Sequence, residues 1–315
     1  MSNSPSKGTD HLASTGFSLD RSTPSLWRVT FDNPPINLID PAMIVALHDL
    51  LAEIEHDNRV AVVVFASADA DFFLAHYDIV ADQSAFNALP AARTPFHHWA
   101  NLLIRLSGSR AVTISALRGR ARGAGSEFVL ATDIRFASRE RAVLGQFEVG
   151  FAAVPGGGPS TRLPGMVGRG RAFEILLGGE DFDGGLAERY GYVNRAVPDV
   201  EFVGFVNAFA ERVSRFDLLA LADIKRFVNA ASLPAAAALT AEMDSFAEAI
   251  ARPAAPAIIG QAFEDGFQQR SDVELNLGAY VGQVARKPTH GKLMLGVTPL
   301  RVDPSAGSSL QSGSL

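Results

Sequence analysis

The sequence predicts an α/β core followed by an almost wholly helical region. Three observations carry that reading. Up to about residue 195, short strand-like segments alternate with helix-like ones. One of them, Val60 to Phe65, is a continuous apolar run, the pattern of a strand buried on both faces. From about residue 200 the strand-like texture gives way to helical spacing.

In chain order, Trp27-Arg28-Val29-Thr30-Phe31 alternates apolar and polar residues, as a half-buried strand does, and Pro34-Pro35 breaks it. Residues 42–57 place Met43, Leu47, Leu50, Leu51 and Ile54 at helical spacing. The apolar strand 60–65 follows. Residues 95–106 repeat the helical pattern through Phe96, Trp99, Leu102, Leu103 and Leu106. Ala111 to Leu117 and Ile134 to Ala137 are the next strands. Strands alternating with helices favour parallel pairing through crossover connections. Candidate helices then cover 200–214, 218–231, 235–251 and 255–269, separated by Asp217, Pro234 and the Pro253–Pro256 region. The alanine-rich stretch after Pro234 suits tight helix packing or a subunit interface. Residues 1–16 and 302–315 are rich in Ser, Gly and Pro and read as disordered tails.

Composition narrows the function. The chain has 315 residues, 47% hydrophobic and 20% charged, an ordinary globular balance. A net charge of -6 argues against a dedicated nucleic-acid binder. With no cysteine, disulfides, thiolate metal sites and cysteine nucleophiles are excluded. The polar start and the lack of a membrane-length apolar run predict a soluble cytoplasmic protein with no membrane partner.

Three stretches carry candidate chemistry. Phe72 to Ile79 follows a buried strand and is read as a loop entering a helix near Asp78, where unpaired N–H groups suit an anion. Gly119 to Glu127 follows the strand 111–117 and holds three glycines within seven residues, which lets the backbone turn sharply and approach a ligand. A helix begins there, with Glu127 in its first turn. Gly145 to Gly158 places Glu148 ahead of a Pro-Gly-rich turn, with Pro159 acceptable in a first helical turn. No Gly-Lys-Ser/Thr follows Gly156-Gly157-Gly158, so a phosphate-binding P-loop is rejected. Ser126 is not in a nucleophile elbow, which rejects the α/β-hydrolase reading. His97 and His98 are adjacent on a helix and make a poor metal pair, so no metal is expected.

In this order the stretches resemble the enoyl-CoA hydratase/isomerase (crotonase) family. Phe73-Leu74-Ala75-His76-Tyr77-Asp78 is similar to its Phe-x-Ala-Gly-x-Asp loop, and Gly119 to Glu127 to its glycine-rich loop ending in Glu. Gln146-Phe147-Glu148 and Pro155 to Gly158 match its Gln-Pro-Glu and Pro-Gly-Gly-Gly segment. Asn33 to Asn37, Gly170-Arg171-Ala172 and Gly191 to Pro198 add supporting matches, so the resemblance runs from about residue 25 to 270.

The resemblance implies a crotonase (ClpP-like) ββα spiral core over 17–199, a helical and oligomerisation region over 200–284, and an extension with its tail over 285–315. It implies a trimer or dimer of trimers, and a role such as fatty acid metabolism. No cofactor is expected beyond CoA as part of the substrate. The family grips a thioester carbonyl with two backbone N–H groups, whose places here are Tyr77 and Ala124. Its hydratases use two glutamates, one for water and one for the α-carbon proton, and Glu127 and Glu148 stand there. The function implied is a lyase adding water to a 2-enoyl-CoA thioester. Alternatives are an isomerase, an acyl-CoA hydrolase, a CoA-independent β-diketone C–C hydrolase, or a catalytically silent member.

Departures mark further candidates. His76 stands where the family has Gly, Tyr77 where it has a small residue, and Phe147 where it has Pro. A glycine of positive φ does not become His without strain, so either the loop bends differently or His76 carries the strain. Arg120 and Arg122 replace a commonly apolar pair and would either bind an anion or pair with acids such as Glu127 or Glu148. His76, Arg120, Arg122 and Trp99 are therefore the substrate-pocket candidates.

Overall fold

The structure is a computed structural model that describes residues 10–12 and 15–284. Its strands are β1 (Asp10–Leu12), β2 (Phe17–Thr23), β3 (Leu26–Phe31), β4 (Val62–Ser67), β5 (Phe72–Leu74), β6 (Val112–Leu117), β7 (Arg120–Arg122), β8 (Ile134–Ser138), β9 (Val143–Gly145), β10 (Asp181–Asp183) and β11 (Arg195–Val197). Its helices are α1 (Pro41–His56), α2 (His97–Gly108), α3 (Ala124–Ala131), α4 (Pro159–Val167), α5 (Arg169–Gly178), α6 (Gly184–Tyr190), α7 (Asp199–Val213), α8 (Leu218–Ser232), α9 (Ala236–Ile250), α10 (Ala254–Glu264), α11 (Asp272–Leu275) and α12 (Leu277–Val284). Short 3₁₀ turns cover Gln83–Ala88 and Glu148–Phe151.

A large sheet has the order β1-β2-β3-β4-β6-β8-β11 and a small one the order β10-β9-β7-β5. From β3 to β11 the large sheet is parallel, as are β5, β7 and β9 in the small one. Each repeat sends one strand into the large sheet and the next into the small sheet. It then returns through a helix, which is the ββα spiral.

The run 60–65 is apolar throughout because the large sheet is covered on both faces. Val63 and Phe65 pack with α1, α2 and α3, whereas Val62 and Val64 pack with Phe202, Val206 and Ala210 of α7. On the first face Phe65 meets Phe128 edge-on at 5.0 Å, and Trp99 stacks on Phe128 at 6.3 Å. This stack ties α2 to α3 and sets the direction of the Trp99 indole. Asp40 caps α1 by accepting from the Met43 N–H at 2.7 Å, a contact worth ~1 kcal/mol.

Three expectations change, and one falls outside the described residues. Asp10–Leu12, inside the expected tail 1–16, pairs antiparallel with β2, because Phe17 to Leu19 offers it a strand edge. The expected tail 302–315 and extension 285–301 lie outside the described residues. No helix begins at Asp78: its carboxylate accepts from the Val80 N–H at 3.1 Å, a local turn. The helix expected over 255–269 stops at Glu264, and Gly266, with φ 108°, turns the chain back. Among the described residues no helix is long and apolar enough to cross a membrane.

Candidate active site

A cavity partly open to solvent lies where α3, the residues after β5, the turn 148–151 and the C-terminal helices meet. Tyr77, Ala124, Glu127, Glu148, His76 and Trp99 all line it, so the structure brings six of the eight candidate residues together. Met243, Phe246 and Ile250 of α9 and Ile259 of α10 close its apolar side.

The two candidate amides come from different kinds of backbone. Ala124 opens α3, where a first-turn N–H has no preceding turn to donate to. The Glu127 N–H donates to Gly123 O at 2.9 Å, so the Gly123 carbonyl points into the helix. The peptide is planar and trans, so the Ala124 N–H points out of the helix start. Tyr77, by contrast, sits in an isolated parallel bridge with Ile39. The Ile39 N–H donates to His76 O and the Asp78 N–H donates to Ile39 O, both at 2.9 Å. By the same planarity the Tyr77 N–H points away from Ile39. It is a strand-edge amide, which corrects the expected helix terminus. Neither amide donates to another group among the described residues. Only glycine fits at 125, because a Cβ there would lie 1.9 Å from Leu74 O. The first turn of α3 is thus pressed against the end of β5, beside the residues leading to Tyr77.

Glu127 is buried and held by three N–H donors. Its Oε2 accepts from Trp99 Nε1 at 2.7 Å, and its Oε1 accepts from the amides of Gly156 and Gly157 at 3.1 and 2.7 Å. A Cβ at Gly157 would stand 2.2 Å from Oε2, so the glycine turn is needed for the backbone to come this close. Burial pushes the Glu127 carboxyl up to about 7, against the pull of these donors.

Glu148 starts the turn Glu148–Phe151 and is also buried. The hydrogen-bond network orients Gln146 so that its amide nitrogen donates to both Glu148 oxygens at 3.2 Å while its oxygen accepts from Ser126 at 3.0 Å. Ser126 in turn shares a 2.6 Å hydrogen bond with Tyr192. Burial, then the charge of Glu127, holds the Glu148 carboxyl well above the usual carboxylate range.

His76 lines the cavity without backbone strain, since its φ is not positive. It lies flat on Phe267 at 4.6 Å, and its Nε2 is 2.8 Å from Glu274 Oε1. Tyr77 lines the cavity as well, with its hydroxyl donating to Gln83 at 3.0 Å.

Arg120 and Arg122 are not in the cavity, and neither pairs with Glu127 or Glu148. Arg122 grips Asp181 with two bonds of 2.6 Å and donates to Glu274 O at 2.7 Å. Arg120 donates to Leu275 O at 2.9 Å. The small sheet turns both guanidiniums toward the chain segment around 275, not toward the pocket. Glu274 and Gln268, which contact the residues around Tyr77, were missed. They lie in no motif, and Glu274 meets His76 across 198 positions. Among the described residues no cluster of three or more His, Cys, Asp or Glu could hold a metal ion.

The sequence profile described as Enoyl-CoA hydratase/isomerase matches residues 21–255. A protein named probable enoyl-CoA hydratase in Mycobacterium bovis and in Mycobacterium tuberculosis is 30% identical over 207 residues, 64% of this chain and 77% of that protein. Among solved structures, a candidate enoyl-CoA hydratase from Streptomyces avermitilis is 42% identical with a TM-score of 0.81, covering 89% of this chain and 99% of that one. OdaA of Pseudomonas aeruginosa is 25% identical with a TM-score of 0.66, covering 76% of this chain and 95% of that one.

Proposed function

The chain belongs to the enoyl-CoA hydratase/isomerase family, whose members act on acyl-CoA thioesters, and from that premise we propose that it adds water to a 2-enoyl-CoA thioester, or removes it in reverse. The thioester oxygen accepts from the Tyr77 and Ala124 N–H groups, which draws electrons from the double bond. Each such donor contributes about 2.7–4 kcal/mol of transition-state stabilisation. Glu127, as carboxylate, takes a proton from water while the water oxygen bonds to the β-carbon. The electrons of the double bond move to the thioester as an enolate. Glu148, as carboxylic acid, then gives its proton to the α-carbon.

The observation that carries this reading is the unequal setting of the two acids in one cavity. Three N–H donors favour the ionised form of Glu127. Burial and the charge of Glu127 favour the protonated form of Glu148. An ionised base and a neutral acid are the pair that hydration needs. The test is hydration of crotonyl-CoA and longer enoyl-CoAs by the wild type, Glu127→Gln and Glu148→Gln. Each substitution is expected to lower kcat by about 10²–10⁴-fold. Undiminished turnover in both variants rejects the assignment. Tight CoA binding in calorimetry counts against the CoA-free C–C hydrolase reading.

The same reading includes a homo-oligomer built on α8. Of that helix only Lys225 is buried, whereas Ile224, Phe227 and Val228 form an exposed apolar stripe at helical spacing. A second copy of the chain is the occupant this proposal assigns to it, in a trimer or dimer of trimers. A monomer in sedimentation equilibrium would remove that part.

A further inference from the structure

Four cationic or ionisable side chains that the proposed reaction does not use, His76, Arg120, Arg122 and Arg270, all hold one segment, residues 266–275. Arg122 and Arg120 donate to the carbonyls of Glu274 and Leu275 at 2.7 and 2.9 Å. Arg270 donates to Pro35 O at 3.1 Å and to Asp69 at 2.6 Å. His76 binds Glu274, whose Oε1 also accepts from the Gln268 N–H at 2.8 Å. The segment is thereby strapped across the back of the loop that carries Tyr77.

From this strap two side chains reach the Tyr77 carbonyl. Gln268 Nε2 lies 3.3 Å from Tyr77 O and 3.2 Å from Asp78 Oδ1. His76 Nδ1 lies 3.1 Å from the same Tyr77 O. The bridge to Ile39 turns both the N–H and the C=O of Tyr77 to the side away from Ile39. An oxyanion received by that N–H therefore has a like-signed carbonyl oxygen beside it unless donors cover that oxygen.

We infer that Glu274, through His76, and Gln268 are positioning residues that fix the Tyr77 peptide and cover its carbonyl, keeping its N–H aimed for an oxyanion. Both ring nitrogens of His76 face acceptors, Glu274 Oε1 and Tyr77 O. The two contacts are both hydrogen bonds only when the ring carries two protons. Glu274 is fully buried, and burial alone would raise its carboxyl. The His76 charge and hydrogen bond, the Gln268 N–H and the Arg122 charge together outweigh that effect and hold it below the usual range. With Gln in place of Glu274, the Gln268 N–H still requires the side-chain oxygen as acceptor, which keeps that oxygen toward His76 Nε2, and a ring with one proton donates to that oxygen or to Tyr77 O but not to both.

The inference rests on the hydratase reading for its kinetics and on geometry alone for its structure, so two measurements separate them. Glu274→Gln keeps the volume and one acceptor oxygen but removes the charge. Gln268→Asn shortens the second donor and suits the positive φ of 62° at that position. With crotonyl-CoA, kcat is expected to fall about 10- to 100-fold in Glu274→Gln, and less in Gln268→Asn, with KM little changed. In a crystal structure of Glu274→Gln, His76 Nδ1 is expected out of hydrogen-bond reach of Tyr77 O. Wild-type kcat in both variants overturns the inference, as does a Glu274→Gln structure in which Tyr77 O keeps both donors. Failure of the wild type to hydrate any enoyl-CoA overturns the hydratase reading instead, and the crystal structure then decides the strap by itself.

Discussion

The walls around Glu127 and Glu148 face one cavity but are built from different material. Glu127 stands on α3 and is met by two backbone amides and an indole. Its donors are fixed by a helix, a glycine turn and a stack of core aromatics. Glu148 stands on a 3₁₀ turn packed against Phe151, Phe267 and Val281, and its donor is a side-chain amide held through Ser126 and Tyr192. Burial raises both carboxyls, but the donors on Glu127 oppose that rise whereas the charge of Glu127 adds to it at Glu148. The lesson is that two equally buried acids are told apart by the donors and charges that face each of them.

The contrast can be broken one wall at a time. The largest effect is expected from adding a methyl group beside each carboxylate. Gly157→Ala would place a Cβ 2.2 Å from Glu127 Oε2, and Gly123→Ala would place one 2.9 Å from Glu148 Oε1, at a φ of +49°. Displacing a reacting group by about 1 Å is worth roughly 10²-fold in rate. Both variants should lose turnover on that scale. A crystal structure of each should show only the carboxylate of its own wall moved. If both groups move in either variant, the walls are not independent.

A smaller effect sharpens the comparison by pH. The Trp99 N–H donates to Glu127 and favours its charged form. Trp99→Phe removes that donor, so the Glu127 carboxyl should rise further above about 7. A base that must be ionised then becomes active at higher pH. The acidic limb of kcat/KM should move up by about 1–2 pH units, the shift expected from losing a hydrogen bond to a charged group. An unmoved acidic limb would mean that another group sets it.

The layers and the site differ in how far the sequence discloses them. The apolar run 60–65 and the helix-spaced leucines after it announce a sheet covered on both faces, because burial dictates hydrophobicity residue by residue. The glycine turns before Ala124 and Glu127 are equally legible, since close backbone approach excludes other residues. Asp78 misleads because an aspartate favours both helix starts and local turns, and here the turn wins. Arg120 and Arg122 mislead for a different reason. A three-residue strand gives no pattern from which to read which way its side chains face, and their partners Leu275 and Asp181 lie 155 and 59 positions away. The His76–Glu274 pair spans 198 positions and has no local signature. Backbone-borne chemistry is written locally, whereas side-chain partners brought in by the C-terminal helices are not.

A crystal structure with an unreactive acyl-CoA bound tests the account most directly. The account predicts the thioester oxygen within about 2.7–3.1 Å of both the Tyr77 and the Ala124 nitrogen, with the α- and β-carbons between Glu148 and Glu127. A thioester oxygen bonded to only one of these amides, or turned to a different donor, would contradict it.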